Sequence, residues 1–397
     1  MTYLSKRIKR ISVSQTLAMA QRSKELREKG VDIIDMSVGQ PDFPTPPHIK
    51  QAAKDAIDKN FTFYTPVPGY SELRDAVVDK LKKENNLEYK RENIVVSNGA
   101  KQALANTILT LISSEDEILV PSPYWVSYKE LINLAEGTVK KIETDISTNY
   151  KVTAKQIEDA ITPNSRILIY SSPSNPSGSV YSKEELQEIA NVIKKYENLF
   201  VISDEIYEHI NYVGKHESIA QFDEIKDRVI IINGMSKGYA MTGWRIGYMA
   251  APKWIADSCT KLQGQYTSGA SSISQKAAIA ALTGDNIYTM GMNQAFRERR
   301  DLIVELLEKI PGFKTYKPEG AFYIFPDIQD YFGKVNNYIN IKNASDLSMF
   351  LLNEAHVATV PGTAFGNPNC IRFSFALGKD KIITAIQRIN DALESLQ

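Results

Sequence analysis

Lys237 is the residue of this chain best suited to covalent chemistry. It stands in NGMSKGYAMTGWRIGY, Asn233 to Tyr248, just after the apolar run Val229 to Ile232. A lysine in a small-residue turn behind a buried strand is unusual, because an ammonium normally keeps its hydration at the surface. Held inside a site it loses that hydration, the charged form is disfavoured, and the neutral amine becomes a nucleophile or base. Such an amine forms Schiff bases with aldehydes. Arg245, eight positions on (245 − 237), offers a fixed guanidinium for an anion such as a phosphate. Gly238 and Gly243 also have P-loop spacing, but Trp244 stands where the phosphate-gripping lysine must be, which discards a P-loop. A surface turn with a solvated Lys237 stays open on these residues alone.

The elements that must position this turn are legible as alternating strands and helices. NIVVSNG, EILVPSPYW, RILIYSSP, LFVISDEIY and VIIINGMS read as strands. Between them Ala100–Leu111, Tyr128–Leu134, Thr153–Ile161 and Ser182–Tyr196 read as helices, the last two opened by the capping boxes Thr153/Gln156 and Ser182/Glu185. Continuous apolar strands separated by helices indicate a mostly parallel sheet sandwiched by helices, an α/β fold. Ligands bind such sheets at the carboxyl ends of the strands. There the chain offers SNGAKQ, PSPYW, SSPSNPSG, SDEIY and GMSK.

Before this run come an extended arm, a helix over Ser14–Lys29, a short strand Ile33–Val38, the proline-rich SVGQPDFPTPP, helices His48–Lys59 and Ser71–Lys83, and the aromatic loop FTFYTPVPGY. After it come helices Trp254–Gln263 and Ser274–Leu282, and one long amphipathic helix over Asn286–Ile310. Strands Thr315–Phe325, Val357–Pro361 and Ile371–Phe375, with helices Ser345–Ala355 and Lys379–Leu396, then suggest a smaller α+β domain built from both chain ends. The expected division is 1–45 as arm and part of the small domain, 46–284 as the large domain, and 285–397 as the small domain.

Composition narrows the function classes. In 397 residues Lys+Arg and Asp+Glu both number 47, so there is no electrostatic case for nucleic acid or an acidic membrane. No apolar run approaches the ~20 residues that span a bilayer, and the basic stretch Lys6 to Arg10 precedes no apolar signal region. Cys259 and Cys370 form no CxxC, and the four histidines have no metal-motif spacing, so no metal site is expected. A soluble cytoplasmic protein is the expectation.

SNGAKQAL, PSPYWVSY, SNPSG, SDEIYEH, GMSKGYAMTGWRIG and IRFSFA, in this order, resemble the class I/II, fold-type-I aminotransferases that use pyridoxal 5'-phosphate. The resemblance runs from GQPDF to the C-terminal helix. It implies that Lys237 holds the cofactor as a Schiff base and shuttles a proton. Asp204 would pair with the pyridine nitrogen and keep it protonated. Asn175 and Tyr207 would bond the cofactor's phenolic oxygen, and Trp125 would stack on its ring. Gly99, Ala100 and Lys101 would give backbone N–H groups at a helix N-terminus to the phosphate, with Ser236 and Arg245 completing that site. The commoner family hydroxyl three positions before the lysine is here Gly234. Tyr64 would reach the phosphate across a homodimer interface, so that active sites are shared. Arg372 would grip the substrate α-carboxylate with its planar fork, helped by the Gly39 N–H.

For the substrate, Lys101 resembles the lysine that binds a distal carboxylate in one aspartate aminotransferase subgroup, and Thr16 resembles its partner. QGQYTSGASSIS carries no basic residue, so the arginine of the better-known subgroup has no counterpart there. The same pair occurs in relatives that also transaminate prephenate. Gln40 departs from the Glu or Asn of many relatives. The expected reaction is amino transfer from aspartate to 2-oxoglutarate by a ping-pong route. An aromatic or broad-specificity aminotransferase, elimination or decarboxylation on the same cofactor, and a non-catalytic cofactor-binding module are the alternatives.

Overall fold

The computed structural model describes residues 3–397 apart from 14, 337 and 338, with the side chains of 15–17 and 20 also outside the description. Its strands are β1 (Ile34–Asp35), β2 (Ile94–Ser97), β3 (Glu117–Ser122), β4 (Thr138–Glu143), β5 (Ser165–Ser171), β6 (Phe200–Asp204), β7 (Val229–Gly234), β8 (Gly247–Ala250), β9 (Tyr323–Ile324), β10 (Val357–Ala358), β11 (Val360–Pro361) and β12 (Ile371–Ser374). The main sheet has the order β2-β8-β7-β6-β5-β3-β4. Its pairs are parallel except that β8 runs against β2 and β7.

β2, β6, β7 and β8 are buried along their whole length. Side chains alternate between the two faces of a strand. Val229 and Ile231 therefore pack on one side with Leu73, Val77, Leu186 and Ala277, while Ile230 and Ile232 pack on the other with Leu104, Ile108, Tyr128 and Ile255. Helices cover both faces, as the unbroken apolar runs require. Both expected capping boxes form, at Thr153/Gln156 and Ser182/Glu185.

Two strands of this sheet were not legible in the sequence. β4, TVKKIE, is an edge strand that buries little beyond Ile142, so its polar residues carry no core signal. β8 follows the Trp244–Arg245 turn so closely that it reads as part of the turn. A third apolar cluster gathers Phe296, Ile303, Phe322, Ile324, Phe350, Phe373 and Ile386, together with Tyr207 and Tyr212. It is tied to the beginning of the chain, because β1 pairs in parallel with β10.

The expected strands here are shortened. Thr315–Phe325 contracts to β9, because Glu319 and Gly320 give their N–H groups to the Gly178 carbonyl rather than to a ladder. Val357–Pro361 divides at Thr359 into β10 and β11, which pair with β1 and β12 respectively. The Ile33–Val38 run keeps only β1, its remainder leading into the prolines.

Candidate active site

β7 ends at Gly234, and the chain turns back on itself. Met235 N–H donates to the Ile246 carbonyl (3.1 Å) and Met241 N–H to that of Ser236 (3.2 Å). Lys237 is thereby pinned at the carboxyl end of the sheet, half-buried, with Nζ donating to the Gly39 carbonyl at 2.5 Å. Burial first, then the Arg372 and Arg245 guanidiniums, push its pKa down to about 7, against the attraction of Asp204. Near neutral pH a large fraction of this amine is uncharged. A Cβ at Gly234 would lie 2.7 Å from the Gly247 Cα, so the tight β7–β8 pairing leaves no room for the hydroxyl common in relatives.

Asp204 ends β6, and Glu205 follows. Both are buried, at 5% and 1% exposure, so neither carboxylate is solvated. Tyr128 Oη donates to Asp204 Oδ2 (2.7 Å), and Ile206 N–H donates to Oδ1 (3.3 Å). Burial nevertheless lifts the Asp204 pKa to about 6. Behind it, Asn233 and Asn85 donate to Glu208 at 2.9 and 3.1 Å, and the buried Lys80 ammonium pairs with the same carboxylate. Burial opposes the Glu208 charge, but Lys80, His209 and His216 together outweigh it and the pKa falls. Glu205, Glu208 and His216 bring their polar atoms within 4.8 Å of one another, a grouping that histidine spacing did not reveal.

Arg372 lies on β12 and is 2% exposed. Its Nη1 donates to Asn175 Oδ1 (3.0 Å) and its Nη2 to the Ser37 carbonyl (2.6 Å), while its buried Nε has no hydrogen-bond partner among the described residues. The guanidinium sits 4.4 Å from the Tyr323 ring centroid. Tyr207 and Tyr323 share a hydrogen bond between hydroxyls at 2.8 Å.

Gly99 caps the Ala100–Leu111 helix with φ +82°, a conformation that favours glycine. A Cβ on it would collide with the Arg245 guanidinium, and one on Gly247 with the Ala100 N–H. Arg245 itself is left-handed (φ +55°) and donates to the Thr242 carbonyl at 2.9 Å. Small residues, helix N-terminus and guanidinium thus converge, the arrangement that binds phosphates. The Lys101 ammonium lies 4.9 Å from the Trp125 ring centroid, and burial and Arg245 lower its pKa. Trp125 in turn stands edge-on to Tyr128 at 5.6 Å.

These groups line one cavity of about 370 Å³. Gly39, Ala100, Lys101, Trp125, Asn175, Asp204, Tyr207, Ser236, Lys237, Arg245 and Arg372 all face it, and Gly99 lies beside it. Tyr64 does not line it and is 99% exposed. Thr16 belongs to the Gln15–Glu28 helix, but its side chain lies outside the described residues. Tyr128 and Tyr323 also line the cavity and were not singled out, because a tyrosine at the start of a helix or within a strand reads as core packing. In hindsight the signal for Tyr128 was its place three residues after Trp125, in PYWVSY.

Residues 31–389 match the family model for aminotransferase class I and II. The chain is 45% identical to the bifunctional aspartate aminotransferase and glutamate/aspartate-prephenate aminotransferase of Petunia hybrida, over 99% of this chain and 83% of that protein. It is 42% identical to the aspartate/prephenate aminotransferase of Nitrosomonas europaea, over 98% and 99% of the two chains. The crystal structure of the Rhizobium meliloti aspartate aminotransferase superposes with a TM-score of 0.97 at 38% identity, over all of both chains. The Thermus thermophilus aspartate aminotransferase with maleate gives 0.93 at 36% identity, over 99% of this chain and 100% of that one. The chain therefore belongs to the class I and II aminotransferases, pyridoxal-phosphate-dependent enzymes of fold type I.

Proposed function

We propose that this enzyme transfers the α-amino group of aspartate to 2-oxoglutarate, giving oxaloacetate and glutamate by a ping-pong route. The observation that carries this is one cavity holding a partly neutral lysine and, beside the Arg245 given to the phosphate, two further cations, Arg372 and Lys101. A dicarboxylic amino acid presents one carboxylate for each. The names of the relatives support the same substrate. Prephenate is a second reading, favoured by the aspartate/prephenate relatives at 42% identity, since it too carries a second carboxylate.

The residues present fit pyridoxal phosphate. The glycines at 99 and 247 let the Arg245 guanidinium and the helix N-terminus at Ala100 come together, and Ala100 and Arg245 both line the cavity, as phosphate binding requires. Gly99, Ala100, Lys101, Ser236 and Arg245 would hold that phosphate, Trp125 would lie against the ring, and Asn175 and Tyr207 would bond its phenolic oxygen. When bound, the cofactor supplies an aldehyde for the amino group and a ring that takes up the electrons released at the substrate Cα.

Asp204 holds a proton at the ring nitrogen, and its ionised form, dominant above about pH 6, suits that task. Tyr128 fixes the carboxylate by its hydrogen bond. Lys237, freed once substrate is in place, carries the proton from Cα, and its lowered pKa lets one amine both accept and return it near neutrality. Arg372 turns its fork to the α-carboxylate, with the Gly39 N–H beside it. The Thr16 hydroxyl would join Lys101 at the distal carboxylate.

Homodimerisation belongs to this proposal. Phe63, Tyr64 and Tyr266 are 80%, 99% and 73% exposed, apolar rings that a second copy would cover while Tyr64 enters its cavity. The division at 45/46 and 284/285 is proposed on the separate apolar clusters of the sheet and of the Phe296–Phe373 region. A cytoplasmic location is proposed as well. Among the described residues no helix is long and apolar enough to cross a membrane.

The test compares kcat/KM of wild type and Lys101→Ala on aspartate and on phenylalanine. Loss of a charge-assisted bond should lower the aspartate value by about 10- to 100-fold and leave phenylalanine nearly unchanged. Equal losses would favour a broad-specificity enzyme. No aminotransfer to 2-oxoglutarate from any donor would favour a cofactor-binding module.

A further inference from the structure

Tyr323 occupies a place that the residue roles above leave unexplained. In the antiparallel pair of β9 and β12 it stands opposite Ser374. Arg372, two residues before Ser374, projects to the same face, so ring and guanidinium are diagonal neighbours. The guanidinium lies 4.4 Å from the ring centroid, within the range of a cation–π contact. At its other end the Tyr323 hydroxyl bonds the Tyr207 hydroxyl at 2.8 Å. A Cβ at Gly39 would lie 2.6 Å from the same oxygen, so only glycine there admits it. Tyr323 is fully buried and lines the cavity. The other charged groups facing the pair are Lys237, 5.6 Å from the Tyr207 ring centroid, and Asp204.

We infer that Tyr323 is a positioning residue joining the two ends of the site: its ring face holds the Arg372 fork, and its hydroxyl donates to Tyr207. This rests on the aminotransferase reading proposed above. Once Tyr207 gives its own proton to the cofactor's phenolic oxygen, it can only accept from Tyr323. A phenol that accepts such a bond is a better donor, because hydrogen bonds in a chain polarise one another. The two halves of the side chain therefore have separable effects.

The experiment uses the pyridoxal-phosphate-loaded protein and maleate, an unreactive dicarboxylate. Tyr323→Phe removes only the hydroxyl. A weaker Tyr207 donor leaves more negative charge on the ring oxygen, so the midpoint of the chromophore's pH titration should rise by about half a unit. The maleate Kd should stay within about threefold, because the ring face is retained. Tyr323→Leu removes the face as well and should weaken maleate by about five- to tenfold. Cofactor Kd, measured separately, should change little in Tyr323→Phe, which guards against a folding defect. A Tyr323→Phe midpoint equal to wild type, or equal losses of cofactor and maleate affinity in both variants, would overturn the inference. If wild type itself neither titrates nor responds to aspartate, the aminotransferase reading fails with it. If wild type does both and Tyr323→Phe matches it, only the role of Tyr323 is lost.

Discussion

Replacing Asp204 with asparagine should stabilise the cofactor-free protein while largely abolishing turnover. Burial raises the Asp204 pKa from 3.8 to about 6, so between these values the folded state binds more protons than the unfolded one. Stability therefore falls as pH rises through that window, and the penalty persists above it. The difference, 6 − 3.8, is about 2.2 units, or about 3 kcal/mol. Asparagine is never charged, and its oxygen can keep the bond from Tyr128. It loses the longer bond from the Ile206 N–H, which costs about 1 kcal/mol. The variant should thus be more stable than wild type by about 2 kcal/mol at pH 8. The gap should close as pH falls toward 4. Urea unfolding of both cofactor-free proteins across this pH range measures it. A wild type as stable as the variant at pH 8, or a gap that ignores pH, would refute the reasoning. Loaded Asp204→Asn should retain cofactor yet turn over poorly, and normal activity would remove Asp204 from the ring nitrogen.

Other outcomes follow from the same geometry. Gly247→Ala places a methyl against the Ala100 N–H and should weaken cofactor binding by about tenfold or more; equilibrium dialysis with pyridoxal phosphate reads this directly. Arg372→Lys keeps the charge but loses the fork, and should raise KM for aspartate by about 10- to 100-fold; steady-state kinetics decide. Tyr64→Phe should loosen cofactor retention, and mixing it with a Lys237→Ala subunit should yield dimers whose activity reports cross-subunit sharing. Additive behaviour without such complementation would place Tyr64 outside the site.

Much of the sheet was legible because its strands are unbroken apolar runs, VIIIN and LFVIS above all, each followed by polar residues where ligands bind. What escaped had weaker physical signatures. β4 has little to bury, and β8 has no punctuation separating it from the preceding turn. Tyr128 and Tyr323 act through hydroxyls at the ends of apolar rings, and sequence shows the ring but not where the oxygen points. Lys80 reads as a surface helix lysine, yet it is buried against Glu208, a pairing 128 residues apart in sequence (208 − 80). Gly247 closes the GMSKGYAMTGWRIG segment, yet why it must be glycine is visible only when Ala100 is found beside it.

Lys237 is the residue on which the chemistry depends. Loaded protein given aspartate alone, with no oxo acid, should lose its Schiff-base absorbance stoichiometrically and release one equivalent of oxaloacetate. Borohydride treatment of the untreated loaded protein should fix the cofactor to the peptide containing Lys237. Protein that stays colourless with pyridoxal phosphate, or an adduct on any other lysine, would contradict the assignment.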